Sequence, residues 1–187
     1  MFIQTEATPN PTTLKFLPVR PVLDHGTLEF RAAADAGGSP LAARLFDIEG
    51  VTSVFFGSDF ISVTKGEGEW QHLKPAILGA IMEHYLSDQA VEGGEAGKSE
   101  QDSDGEFFAP EDAETVTTIK ELLETRVRPA VAQDGGDITF QGYRDGIVFL
   151  HMRGACSGCP SSTATLRHGI ENLLRHFIPE VQEVRPV

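Results

Sequence analysis

Cysteine is almost missing from this chain of 187 residues, which holds only Cys156 and Cys159. Two thiols cannot build a disulfide framework. In a reducing compartment, thiols three positions apart point to metal or redox chemistry. Long apolar runs are also missing. No stretch approaches the roughly 20 apolar residues that a membrane-spanning helix requires, so no membrane partner is expected. The opening residues Met1-Phe2-Ile3-Gln4-Thr5-Glu6 have neither the basic segment and apolar core of a secretory signal nor the arginines of a transit peptide. The expected location is a bacterial cytoplasm, or a mitochondrial matrix if a transit peptide has been removed. A basic surplus is absent as well. The formal net charge is −13, and such a surface repels a phosphate backbone, which argues against nucleic acid as a partner. No internal repeat relates one part of the chain to another.

The acidity is unevenly placed. Between residues 92 and 114 nine acidic side chains face the single Lys98, and this stretch accounts for more than half of the net charge. From residue 92 to 105 the largest apolar group is the methyl of Ala96. Glycine, serine and like charges bury too little surface to offset chain entropy, so residues 92–110 are expected to form a flexible acidic linker. The fold class expected is α+β, with two small α/β domains at residues 1–91 and 111–187.

In the first domain, strands are expected at residues 2–5 and 13–17, on either side of the turn Pro9-Asn10-Pro11. Ser39-Pro40 supplies an N-cap and a first-turn proline. Leu41, Leu45 and Ile48 follow at helical spacing until Gly50 stops the helix. Residues 51–56 and 60–64 flank Gly57-Ser58-Asp59 as a hairpin. A helix over residues 70–86 carries Leu73, Ile77, Ile81 and Tyr85 on one stripe. His72 and His84 lie on that helix without a third convergent ligand and read as surface or partly buried histidines. Trp70 reads as a core anchor.

The second domain is expected to be a three-stranded sheet with two helices and a C-x-x-C loop. A helix beginning near residue 111 presents Val116, Ile119, Leu123 and Val127, and is kinked or ended near Pro129. Gln133-Asp134-Gly135-Gly136-Asp137 makes a sharp turn. Strands follow at residues 138–143 and 147–153, then a helix from about residue 161 striped with Leu166, Ile170, Leu173, Leu174 and Phe177. Pro179 ends that helix. Residues 181–187 form an edge strand, since Pro186 has no N–H to give a ladder.

Between the second of these strands and the last helix stands Gly154-Ala155-Cys156-Ser157-Gly158-Cys159-Pro160-Ser161-Ser162. Two intervening residues let both sulfurs reach one metal centre, and Gly158 takes positive φ without steric cost. The nearby helix start is expected to favour the thiolates. A thioredoxin-like dithiol has the same local order of strand, C-x-x-C and helix, but one helix and one short strand after Cys159 leave too little chain for that fold. A zinc site and an iron–sulfur cluster both remain, and both take four protein ligands. His151 and His168 read as ordinary strand and helix residues. The simplest completion of the shell is therefore Cys156 and Cys159 of a second copy, since symmetric pairing is the commonest oligomer.

Asp134-Gly135-Gly136-Asp137, the hairpin, the C-x-x-C segment and Gly169-Ile170-Glu171 closely resemble the NifU-like C-terminal domain. Thr8-Pro9-Asn10-Pro11-Thr12-Thr13-Leu14-Lys15-Phe16 and Val51-Thr52-Ser53-Val54-Phe55-Phe56 resemble the Nfu N-terminal domain. The resemblance covers nearly the whole chain outside the linker. It implies a non-enzymatic scaffold or carrier, with a [4Fe–4S] cluster held on Cys156 and Cys159 of two subunits and passed to apo iron–sulfur proteins. A [2Fe–2S] centre would accept the same four thiolates. The implied partners are a second copy, upstream cluster-assembly proteins and the recipients. The alternatives are a thiol-disulfide oxidoreductase and a zinc-stabilised interaction module.

Overall fold

A computed structural model describes residues 2–91, 105–157 and 160–187, apart from the side chains of Pro160, Ser161 and Ser162. The chain divides into two compact units, Met1–Ser99 and Glu100–Val187. Both mix strands and helices, which is the expected α+β class.

The first unit builds a five-stranded antiparallel sheet from β1 (Ile3–Ala7), β2 (Thr13–Pro18), β3 (Leu28–Phe30), β4 (Val51–Phe56) and β5 (Ile61–Lys65), in the order β1-β2-β5-β4-β3. Thr8 and Asn10 close the β1–β2 turn: the Thr8 hydroxyl donates to the carbonyls of Asn10 and Thr13, and Asn10 Oδ1 accepts from the Thr12 N–H. Helix α1 (Pro40–Phe46) starts where Ser39 Oγ accepts from the Ala42 N–H and Pro40 occupies the first turn. Helix α2 (Trp70–Leu86) sends Leu73, Ile77 and Ile81 into a core with Leu41, Leu45, Phe16, Val54, Phe56 and Ile61. The short β3 and the 3-10 turn Ala33–Gly38 behind it are absent from the expected elements. Trp70 packs against the core and donates its indole N–H to the Pro11 carbonyl.

His84 corrects an expectation. It is fully buried, on the helix face that carries Ile77 and Ile81. Burial lowers its pKa below the ordinary imidazole value, the Arg44 cation adds to this, and a backbone contact with Gln89 opposes it. The unfolded chain therefore takes up a proton below about pH 6.5 that the folded unit resists, so stability rises with pH through that window and falls as pH drops. Thermal melts from pH 7.5 to 5, followed by the fluorescence of the single Trp70, are expected to show the first unit losing stability below pH 6.5. His84→Phe is expected to flatten that dependence, and an unchanged slope would remove His84 as its cause.

The second unit opens with a 3-10 turn (Pro110–Asp112) and α3 (Ala113–Leu122). A π-helical turn (Leu123–Val127) follows, then α4 (Arg128–Gln133). The helix does not end at Pro129. The Arg128 N–H bonds back to the Leu123 carbonyl, and this wider turn sets Pro129 at the opening of α4, where its missing N–H is tolerated. The sheet consists of β6 (Gly136–Arg144), β7 (Ile147–Gly154) and β8 (Glu183–Pro186) in that order, β6–β7 antiparallel and β7–β8 parallel. Helix α5 (Pro160–Phe177) packs Ile170 and Leu174 onto Ile138, Phe140, Val148, Leu150 and Val184. Pro186 sits on the edge strand, as its chemistry demands.

Of the expected linker, residues 92–104 lie outside the described residues, and residues 105–110 belong to the second unit. Phe107 pairs with Gly142 at the β6 bulge: the Phe107 N–H donates to the Gln141 carbonyl, and the Tyr143 N–H donates to the Phe107 carbonyl. Its ring lies 5.1 Å from that of Phe149, centroid to centroid, and the Arg144 guanidinium stands over it. Glu106 pairs with Lys120. Composition across the acidic stretch conceals these contacts. Among the described residues, no helix is long and apolar enough to cross a membrane.

Candidate metal centre

The C-x-x-C segment begins where β7 ends. Gly154 is buried with φ of 67°, a conformation L side chains rarely adopt, and it pairs across the sheet with Gly136 at the start of β6. The Ala155 N–H donates to the Gly135 carbonyl, and both the N–H and the hydroxyl of Ser157 donate to the Gly154 carbonyl. The Thr163 hydroxyl, from the first turns of α5, donates to the Cys156 carbonyl at 2.9 Å. The loop is thus tied to the β6 entry on one side and to α5 on the other.

Cys156 is 6% exposed and lies against the domain core. Gly158 and Cys159 lie outside the described residues, so the structure places one of the two expected ligands. The expectation that the helix start favours the thiolate is corrected for Cys156. Burial, followed by the charges of Asp134 and Asp137, pushes its thiol up to about 12. Cys156 precedes α5 rather than lying on it, so desolvation outweighs the helix dipole there.

Asp137 fixes the other wall. Arg128 grips its carboxylate with two hydrogen bonds, Nε to Oδ1 at 3.0 Å and Nη2 to Oδ2 at 3.1 Å, and Oδ1 also accepts from the Ile138 N–H at 2.8 Å. Glu124 holds the remaining guanidinium nitrogen at 2.6 Å. The pair raises the pKa of Arg128 and fastens α4 to the start of β6. Asp137→Ala leaves a buried N–H and a guanidinium without their acceptor and is expected to cost about 2 kcal/mol, Glu124 keeping part of the charge balanced. Chemical denaturation checks this, and a change under about 0.5 kcal/mol would deny Asp137 this role. In the sequence Asp137 reads as a turn residue and nothing marks Arg128, whose partner lies nine positions away on another element.

His151 is half-buried on β7, on the face opposite Val148, Leu150 and Met152, and pairs across the sheet with Thr139. His168 is exposed on α5. Neither joins a cluster, and among the described residues no three His, Cys, Asp or Glu side chains converge. The described thiol at this loop, that of Cys156, is a soft donor of the kind that suits thiophilic centres such as iron–sulfur clusters and zinc better than hard oxygen-seeking cations.

Comparison with known proteins places both units. Residues 3–88 match the family described as scaffold protein Nfu/NifU N terminal, and residues 119–185 match the NifU-like domain. A human protein named "NFU1 iron-sulfur cluster scaffold homolog, mitochondrial" is 51% identical over 189 residues, covering 100% of this chain and 72% of its own length. "NifU-like protein 4, mitochondrial" from Arabidopsis thaliana is 50% identical over 187 residues, covering 98% of this chain and 65% of its own. Among solved structures, the solution structure of a NifU-like protein from Saccharomyces cerevisiae aligns with a TM-score of 0.45 at 27% identity, covering 50% of this chain and 86% of that one.

Proposed function

The chain belongs to the Nfu/NifU-type iron–sulfur cluster scaffold family, and from that membership we propose that it carries a cluster on Cys156 and Cys159 and hands it to apo iron–sulfur proteins. The observation that carries this reading is the segment itself: two thiols, the chain's entire complement, in the glycine-containing stretch of sequence between the end of β7 and the start of α5. Four thiolates complete a cluster, so two copies of the chain share one. The cluster is [4Fe–4S], as the family resemblance implies. A ligand shell split between separable subunits holds its cargo less permanently than four ligands of one chain, which suits release to a recipient.

The role is that of a scaffold, with the cluster as cargo and no substrate to turn over. A thioredoxin-like dithiol needs further strands and a helix beyond the motif, whereas α5 and β8 are the elements that follow it. Residues 1–91 serve as a domain for partners or positioning. Residues 105–110, which pack on the second unit through Glu106 and Phe107, count with the cluster domain. The compartment is a reducing one, the mitochondrial matrix, in keeping with relatives whose names call them mitochondrial, or a bacterial cytoplasm.

The test is anaerobic reconstitution with iron and sulfide, followed by incubation with an apo-enzyme whose activity requires a [4Fe–4S] cluster. The expected result is a brown protein with broad absorption that loses its colour as the recipient gains activity. A colourless product that retains zinc would overturn the reading in favour of a structural metal module. A colourless, metal-free product would favour the dithiol.

A further inference from the structure

Gly136 has no turn to make. Its neighbour Gly135 has φ of 80°, which explains a glycine there, but Gly136 already lies in β6 and is not among the residues of positive φ. What it lacks is room. A methyl group on its Cα would lie 2.7 Å from Cys156 Sγ, 2.7 Å from the Arg153 carbonyl oxygen and 3.2 Å from the Cys156 nitrogen. The sulfur therefore fills the space a side chain at this position would take, and this is how Cys156 comes to be 6% exposed at the end of a strand. The backbone on both sides is held: the Ala155 N–H is bound to the Gly135 carbonyl, and Asp137 is clamped by Arg128.

We propose that Gly136 is a positioning residue for the cluster site, forming a cradle in which the Cys156 thiol is sheltered in the metal-free protein. A thiol in this cradle is screened from solvent oxidants and electrophiles until the site is loaded. The significance for cargo rests on the reading of Cys156 as a ligand, but the cradle itself is a property of the metal-free chain and is tested there.

In the full-length, metal-free protein with Cys159→Ser, Cys156 is the only thiol, and intact mass reads its alkylation by iodoacetamide. Native protein is expected to react at least about tenfold more slowly than the same protein in denaturant, since reaction must wait for local opening. Gly136→Ala is expected to recover most of that factor. Gly169→Ala, on α5 of the same unit, places its methyl where nothing lies within 4 Å and is expected to change nothing. Equal rates in native and denatured protein, or equal slowing in Gly136→Ala, would overturn the proposal. If Gly136→Ala unfolds the unit, the same change is made with Cys156→Ala. Removing the sulfur is expected to recover part of the lost stability, and an identical loss in both backgrounds would overturn it. Iron content after reconstitution reports separately on the ligand reading, so the two failures are distinguishable.

Discussion

Cys156→Ser and Cys159→Ser are each expected to lower bound iron and sulfide after reconstitution to below about a tenth of the parent value, because a shared four-thiolate shell loses two of its four donors when each copy loses one. The fold is expected to survive. Neither sulfur is needed for the α5 stripe or the β6–β7 hairpin, and at position 156 a buried hydroxyl replaces a buried thiol, a change worth about 1–2 kcal/mol. Iron and sulfide determination with a far-ultraviolet circular dichroism melt separates the two effects. A normal cluster in either variant would remove that cysteine from the ligand set. Loss of both cluster and cooperative melting would show a structural requirement and leave ligation undecided at that position.

The second large effect is expected at the strap formed by residues 105–110. A chain beginning at Glu111 loses the Phe107–Phe149 ring contact, two backbone hydrogen bonds to the β6 bulge and the Glu106–Lys120 pair. Half-buried aromatic packing and two edge hydrogen bonds together are worth about 3 kcal/mol. For a unit of this size, that corresponds to a melting temperature lower by roughly 12–24 °C than that of a chain beginning at Gly105. Gly142→Val is expected to reproduce much of the loss in the full-length chain, because a Cβ at Gly142 would stand 2.5 Å from the Phe107 ring and must displace it. Equal melting temperatures for the two truncated chains would show that the strap contributes nothing.

These two predictions draw unequally on the sequence. The cysteine pair is legible at once, because so few thiols at that spacing leave little else to consider. Several elements are legible by local rules: Ser39-Pro40 opens a helix, residues 51–56 form a strand to the residue, and the spacing of Leu73, Ile77 and Ile81 fixes α2. Periodicity alone also puts His84 inside, three positions beyond Ile81, but its side-chain chemistry argues for the surface. Phe107 and Phe108 are apolar in an acidic, glycine-rich stretch, and an average over composition hides them. Leu28–Phe30 is a strand of three residues, too short for a period to declare itself. The Gly136–Cys156 contact joins positions twenty apart, and only the pairing of Gly136 with Gly154 brings them together. Long-range contacts of that kind leave a mark in sequence no larger than an unexplained glycine.

The central claim is that one cluster is shared by two chains. Native mass spectrometry of the anaerobically reconstituted full-length protein tests it most directly. The account predicts a species of two chains carrying one [4Fe–4S] cluster, falling to metal-free monomers as the cluster is removed by chelation or passed to a recipient. A single chain that retains a complete cluster would contradict it.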